Sequence, residues 1–459
     1  MKRISKRMLF LLGLMGLLVV GICLFMLEYV VQARDWALFP GSPHVYTRGN
    51  LSAGVISDRK GELLLTPEDG KTYSEDEALR ISTMHLLGDR YGYIPSPVIN
   101  QYADQMVGFS HINGLYHAVR APRQAELTID ASVQKAALAE LAGRKGTVGV
   151  YNYKTGEILC AVTTPSYDPD HMPDVEGDVT GAYEGVYMNR LFQMTYVPGS
   201  IYKIVTTAAA LEEIPGVTSR TFYCAGSCQI GADTINCNGT HHSQTLAQAL
   251  ANSCNVAFAQ LAVELGKDTL LRYAENFGIT SSLEFDGIRT AAGQFDLEGA
   301  AASEIAWSGI GQYTDLVNPC QFMALMGAIA GDGQGTVPHI VGEVDSRLGR
   351  GYHAKTENFT IDLSKETCDV LAGYMKNNVV TMYGQWLFPN LYICAKSGTA
   401  ELGPNETPHA TFAGFVDDAN YPLAFIVIVE NGGSGSAACA PIAGRVLTAC
   451  CNAMDAERS

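Results

Sequence analysis

Cationic side chains are in short supply: 31 Lys+Arg stand against 47 Asp+Glu, and charged residues make up only 17% of the 459-residue chain. Four of those cations, Lys2, Arg3, Lys6 and Arg7, crowd the first seven residues, so the remainder carries 27 against 47, a balance of −20. Such a surface repels nucleic acid and discourages docking on anionic lipid. Internal repeats and low-complexity tracts are missing, and with 47% hydrophobic residues the chain can bury a large core, so it is not a disordered chain. The twelve cysteines are spread through a long chain and none stand as paired C-x-x-C, which excludes a small disulfide scaffold.

What is present begins with residues 8–27 (MLFLLGLMGLLVVGICLFML), an apolar run with no charge before Glu28. Twenty such residues span a bilayer, and the basic flank belongs on the cytoplasmic side. The rival reading is a cleavable signal peptide, but the run is long and no small-x-small site follows it. A cytoplasmic tail (1–7), a single-pass anchor (8–27) in the cytoplasmic membrane and an extracytoplasmic remainder are therefore expected. Cys224, Cys228, Cys237, His241 and His242 form one cluster in sequence whose ligand types suit zinc. Without paired spacing, a loop disulfide or free thiols is the plainer reading, and no metal is expected.

Residues 28–122 mix short helical patterns with turn signals, Pro40-Gly41-Ser42-Pro43 and Asp58-Arg59-Lys60-Gly61 among them, and read as a small stalk, or pedestal, domain. From 123 onwards the pattern changes. Asp130 is placed to cap a helix over Ala131 to Leu141, and Thr147–Tyr151 with Glu157–Thr163 reads as a β-hairpin turning at Gly156. A long helical stretch follows. Strand signals return at Leu391–Ala395, Thr411–Val416 and Leu423–Glu430, and an Ala-rich helix from Ala437 to Met454 closes the pattern. Strands at both ends with helices between them predict an α+β domain over 123–459 with one largely antiparallel sheet.

Three S-x-x-K sequences occur: Ser57 to Lys60, Ser132 to Lys135 and Ser200 to Lys203. The first two fall in a charged turn and a helix's first turn and read as surface positions. Ser200 follows Pro198-Gly199 and opens a run apolar on nearly every face, so a buried helix would carry its hydroxyl at the positive end and Lys203 one turn on. Desolvation lowers a lysine pKa, which would let Lys203 take the serine proton. The alternative is a lysine that snorkels out or pairs with Glu212 or Glu213. Ser253-Cys254-Asn255, the one S-x-N, lies on a helix–helix turn where a hydroxyl and an amide can relay a proton and hold a carbonyl. Lys396-Ser397-Gly398 ends an apolar strand and continues into Thr399, and its cation and hydroxyls suit a carboxylate; Lys154-Thr155-Gly156 is explained as the hairpin turn.

The three motifs in this order resemble the class B penicillin-binding proteins, the monofunctional peptidoglycan DD-transpeptidases that serve cell shape and cell division. The likeness runs from about Ala125 to Glu430. It also includes Leu127-Thr128-Ile129-Asp130, Pro165-Ser166-Tyr167-Asp168-Pro169, Asn189-Arg190 and Gly311-Gln312. It implies the penicillin-binding transpeptidase or serine β-lactamase-like fold, with an antiparallel sheet flanked by helices and an all-helical subdomain. The resemblance makes Ser200 the nucleophile, Lys203 its base, Ser253 the proton relay and Asn255 a substrate clamp. Lys396, Ser397, Gly398 and Thr399 bind substrate, and the N–H groups of Ser200 and Thr399 form the oxyanion hole. Stem peptides and β-lactams are the implied ligands, a polytopic SEDS-type glycan polymerase an implied partner, and no cofactor is implied.

Two departures stand out. Tyr313 occupies a position where the family often has glycine, and Thr411 one where an aromatic is usual; both are expected to alter the cleft wall. A hydrolytic DD-carboxypeptidase or β-lactamase is the enzymatic alternative, disfavoured because no E-x-x-L-N occurs. A non-catalytic penicillin-binding sensor or scaffold is the other, and no H-E-x-x-H occurs.

Overall fold

The structure, a computed structural model, describes residues 2–37, 46–47, 50–51, 54–67, 71–107, 109–110, 114–115, 123–345, 351–403 and 406–458. The turn expected at Pro40 to Pro43 lies outside these residues. The elements that position the site are, in chain order, α1 (Lys2–Ala37), α2 (Ala131–Leu141), β1 (Gly146–Asn152), β2 (Ile158–Thr164), α3 (Lys203–Glu213), α4 (Asn255–Asn276), α5 (Pro319–Ala330), α6 (Lys365–Asn378), β3 (Ile393–Ala400), β4 (His409–Val416), β5 (Leu423–Val429) and α7 (Ala440–Arg458). Within α1, the most apolar 18-residue window of Ile4–Ala33 has a mean hydropathy of 2.8, and none of it is buried against the protein. At ~1.5 Å per residue it is long enough for a hydrocarbon layer about 30 Å thick.

Five strands form an antiparallel sheet in the order β2-β1-β5-β4-β3. The β1–β2 hairpin forms as expected, with Asn152 Oδ1 accepting from the N–H groups of Lys154 and Thr155 to close the turn. Both faces of this sheet are covered. Val148, Val150, Phe412, Phe425 and Val427 point to one side, against Val133, Ala137 and Leu141 of α2 and Ile442, Val446 and Leu447 of α7. Ile426 and Ile428 point to the other, against Phe322, Met323 and Leu325 of α5 and the apolar α3. Each fully buried aliphatic side chain contributes roughly 1.5–3 kcal/mol. Because both faces are dry, the strands read as continuous apolar runs rather than alternating ones. β3 is left at the sheet edge, with α6 packed beside it and Asn378 Nδ2 donating to Ala395 O at 3.1 Å.

A second, six-stranded sheet draws Val55–Ser57, Leu63–Thr66 and Thr72–Tyr73 together with Gln124–Leu127, Val341–Val344 and Tyr352–His353. The expected boundary at 122/123 is thus crossed by hydrogen-bonded strands. Asp58 strengthens the join: its carboxylate accepts from Lys60 N and Glu62 N in its own turn and from Ala131 N at the start of α2, at 2.8–2.9 Å. The reading of Ser57 as a surface position is corrected. Ser57 is buried in a central strand and takes a hydrogen bond from Gln124 Nε2, while Lys60 pairs with Asp130 at 2.7 Å. Ser132 is exposed as expected, and Lys135 pairs with Asp76.

The long middle stretch is not wholly helical. Thr221–Cys224 pairs with His242–Thr245, and Ser227–Ile230 with Asp233–Asn236, as two small antiparallel ribbons beside α4. Their strands are short and largely exposed, so no apolar periodicity announced them.

The segment leading to Ser200 is pinned by Arg190, which is 2% exposed. Its guanidinium meets Glu430 at 2.8 Å at the end of β5 and donates to the carbonyls of Glu184 and Gly185; Tyr196 Oη donates to the same carboxylate. Removing one partner of a buried pair strands the other charge. Arg190→Ala is therefore expected to cost about 3–5 kcal/mol, read as a lower urea midpoint for the detergent-solubilised chain.

Candidate active site

Pro198-Gly199 delivers Ser200 onto the edge strand. Gly199 has φ +56°, and a Cβ there would sit 2.6 Å from the Thr399 carbonyl oxygen, so only glycine allows this turn to lie on β3. Gly398 makes the reciprocal approach, since a Cβ on it would meet Thr411 Oγ1 and Pro198 O. The turn Gly199–Tyr202 is a tight 3₁₀ segment that runs directly into α3. Ser200 and Lys203 therefore share one side, as expected, with Lys203 Nζ 2.9 Å from Ser200 Oγ.

Lys203 is fully buried. It neither snorkels out nor pairs with Glu212 or Glu213, which engage Ser364 N and the Arg272–Tyr273 pair instead. Its Nζ lies 2.7 Å from Ser253 O, 2.7 Å from Asn255 Oδ1 and 3.2 Å from Ser253 Oγ, all neutral groups. Burial pushes its pKa down to about 7, against an opposing pull from the nearby Cys237 and Cys254 thiols. A neutral amine has two hydrogens and one lone pair. The two carbonyl oxygens can only accept, so they take the two N–H groups, and the lone pair is left for the Ser200 hydroxyl. Asn255 is fixed in this orientation because its Nδ2 donates to Asn236 O at 2.9 Å.

Ser253 sits in the left-handed region at φ +52°, in the turn between the helix Leu246–Ala251 and α4. Its hydroxyl lies between two amines, 3.2 Å from Lys203 and 3.1 Å from Lys396. Lys396 is fully buried too and donates to Ser397 O at 2.7 Å. Burial first, and then the charge of Lys203, hold it well below the ordinary lysine range. Among the described residues no acid is a hydrogen-bond partner of either amine, so an anionic ligand would supply the missing countercharge.

Ser200, Ser253, Asn255, Ser397 and Thr399 line a cleft of about 400 Å³, with the two lysines beneath its floor. Gly398 faces Pro198 and Thr411 behind the floor. Gln312 of the Gly311-Gln312 stretch forms part of the wall, and further walls were announced by no motif: Trp307 beside it, Ser434 and Ser436 beyond β3, and Asn236 to Asn238 from the small ribbon. Tyr383 was also missed; its Oη accepts from Ser397 N at 2.9 Å and stands 3.1 Å from Ser397 Oγ. Tyr383 ends an irregular π-helical turn, for which the sequence has no pattern. The expectation for Thr411 is corrected: it is fully buried behind the nucleophile's turn, 3.4 Å from Pro198 O, and is not cleft wall. Tyr313 follows the wall residue Gln312 in a left-handed conformation, φ +73°, which a glycine would adopt without strain.

Fold and site together define a serine acyl-transfer protein whose nucleophile sits on a buried lysine. The sequence profile described as "Penicillin binding protein transpeptidase domain" matches residues 146–448. Peptidoglycan D,D-transpeptidase PbpA of Mycobacterium tuberculosis is 28% identical over 338 residues, covering 66% of this chain and 67% of that protein. Stage V sporulation protein D of Bacillus subtilis is 29% identical over 347 residues, covering 70% of this chain and 52% of that protein. Among solved structures, the D,D-transpeptidase domain of a peptidoglycan glycosyltransferase from Eggerthella lenta superposes with a TM-score of 0.74 at 25% identity, covering 87% of this chain and 98% of that one. A penicillin G acyl-enzyme complex of penicillin-binding protein A from M. tuberculosis gives 0.75 at 25% identity, covering 87% and 99%. The chain belongs to the penicillin-binding protein transpeptidase family, in its class B branch.

An amine held near 7 beside the serine predicts a pH profile. Protonation removes the lone pair, so the neutral fraction falls to about one-tenth a unit below the pKa. The second-order rate of acylation by a fluorescent penicillin should rise about tenfold from pH 6 upward and level off above 8. A flat profile across that range would remove Lys203 as the base.

Proposed function

We propose that this chain is a peptidoglycan D,D-transpeptidase that cross-links stem peptides through an acyl-enzyme on Ser200, with β-lactams acylating the same serine. The observation that carries the reading is the contact of the Lys203 amine with Ser200 Oγ at 2.9 Å, in a setting that keeps the amine's lone pair free for the hydroxyl. Ser200 Oγ attacks the carbonyl of the penultimate D-alanine as Lys203 takes its proton. The N–H groups of Ser200 and Thr399, on the two segments pressed together at Gly199, receive the developing oxyanion. The Ser253 hydroxyl, shared between the two amines, passes a proton to the departing D-alanine nitrogen.

Lys396, with Ser397 and Thr399 at the cleft surface, holds the terminal carboxylate of the donor, and Asn255 clamps its amide. Gly398 contributes by being small. The acyl group then passes to an amine of a neighbouring strand, which Lys203 deprotonates in turn. In the same reading, 8–27 anchor the chain in the cytoplasmic membrane, 28–122 form a pedestal and 123–459 the extracytoplasmic transpeptidase domain. A polytopic SEDS-type glycan polymerase is the proposed partner in the membrane; the chemistry itself uses no cofactor.

Two measurements test this. Fluorescent penicillin should label the wild-type chain and leave Ser200→Ala unlabelled; equal labelling would sink the assignment. A stem-peptide thioester or pentapeptide donor supplied with an amine acceptor should give mainly transfer product. Exclusive hydrolysis would replace the transferase with a carboxypeptidase.

A further inference from the structure

The middle residue of the S-x-N turn is a cysteine, and its thiol does not point into the cleft. Cys254 is fully buried, and its Sγ lies 3.8 Å from Cys237 Sγ. Cys237 Sγ in turn lies 3.6 Å from His241 Nδ1. With Cys224, these give three sulfurs and one imidazole nitrogen, all within 4.8 Å of one another. Cys228, which the sequence grouped with them, stands outside the set and packs with Ile235, Ala259 and Trp307.

The Cys237–Cys254 and Cys237–His241 spacings match edges of a tetrahedral site. With Zn–S of about 2.3 Å and Zn–N of about 2.0–2.1 Å, the edges of a tetrahedral site come to ~3.8 Å between sulfurs and ~3.6 Å between sulfur and nitrogen. All four cysteine and histidine donors come from segments with a reason to be joined. Cys224 ends one strand of the outer ribbon, and His241 precedes the partner strand. Cys237 follows the inner ribbon, and Cys254 caps α4, accepting from Ala257 N. Each ribbon pairs over only four residues and buries little, so hydrophobic contact alone holds them weakly.

We propose that Cys224, Cys237, His241 and Cys254 bind one structural zinc ion, which ties the small ribbons to the Ser253-Cys254-Asn255 turn and so sets one wall of the active-site cleft. Three thiolates with one imidazole favour zinc over hard cations, and four protein ligands close the shell, leaving no open position for catalysis on the metal. Cys237 and His241 are only half-buried, which gives the ion a way in. The consequence for the cleft is direct. Ser253 and Asn255 flank one ligand, and Asn236 and Asn238, which line the cleft, flank another. The Asn236 O to Asn255 Nδ2 hydrogen bond then lies beside the metal and shares its rigidity. Zinc ligation also keeps Cys237 and Cys254 from oxidising to a disulfide outside the cytoplasm.

Elemental analysis tests this without reference to activity, so its failure is separable from failure of the transpeptidase reading. The full chain, purified in detergent without added metal or chelator, should carry about one zinc per chain. Cys237→Ser and His241→Ala should each lose it, and Cys228→Ser should keep it. Stripping with a strong zinc chelator should lower the thermal midpoint and slow acylation by fluorescent penicillin, and added zinc should restore both. A wild-type chain with no zinc, a Cys237–Cys254 disulfide found by mass spectrometry, iron in place of zinc, or zinc retained by both ligand variants would each overturn the proposal.

Discussion

Everything in the active site turns on one primary amine that has been taken out of water with, among the described residues, no acid hydrogen-bonded to it. Burying Lys203 among neutral oxygens and the face of Phe258, 5.6 Å away, is unfavourable for an ammonium and tolerable for an amine. In the proposed reaction that cost has a use, because the neutral form is the one that can receive a proton from Ser200. The surrounding architecture follows from it. α3 has to be apolar on nearly all sides to seal the amine, α4 and α6 have to pack against α3, and the Ser253–Asn255 turn has to bring two carbonyl oxygens to orient the lone pair.

The second lysine makes the arrangement switchable by ligand charge. Lys203 and Lys396 share one hydroxyl, and two ammoniums so close in a dry setting repel each other strongly. Burial and the charge of Lys203 push Lys396 toward its neutral form. In the proposed reaction a donor carboxylate held above Ser397 and Thr399 would favour the charged form of Lys396. A site of this kind would bind an anion while keeping its base neutral, which fits the proposed donor, ending in a free carboxylate, better than an internal peptide.

Much of this was legible before any coordinates. The three motifs, their order and the buried character of the helix after Ser200 located five groups that the structure brings within hydrogen-bonding reach of one another: Ser200, Lys203, Ser253, Asn255 and Lys396. The strands of the main sheet were legible because both faces are buried, so their apolar runs stand out. What was hidden shares a different property. The ribbons beside α4, the π-helical turn that ends in Tyr383, and the serines of Ser434 and Ser436 are polar, short or irregular, and sequence period says nothing about them. Ser57 shows the opposite failure: a charged turn next to it made a buried strand residue look exposed, because the charges of Asp58 and Lys60 are spent on backbone N–H groups and Asp130.

The cysteines show why local spacing and spatial grouping part company. Sequence proximity joined Cys224, Cys228 and Cys237, and the missing C-x-x-C pairing argued for a loop disulfide or free thiols. Folding replaces Cys228 with Cys254, which stands well downstream and was read only as the filler of the S-x-N motif. A zinc site built from three separate segments needs no C-x-x-C, because the short ribbons supply the convergence that a tight knuckle supplies elsewhere. The same turn then carries two kinds of chemistry back to back, with Ser253 and Asn255 facing Lys203 and Cys254 facing the thiol cluster. A backbone held at φ +52° at Ser253 is strained for a residue with a Cβ, and strain of that kind persists only where neighbours over-determine the conformation. The lysine on one side and a metal on the other are what would hold it.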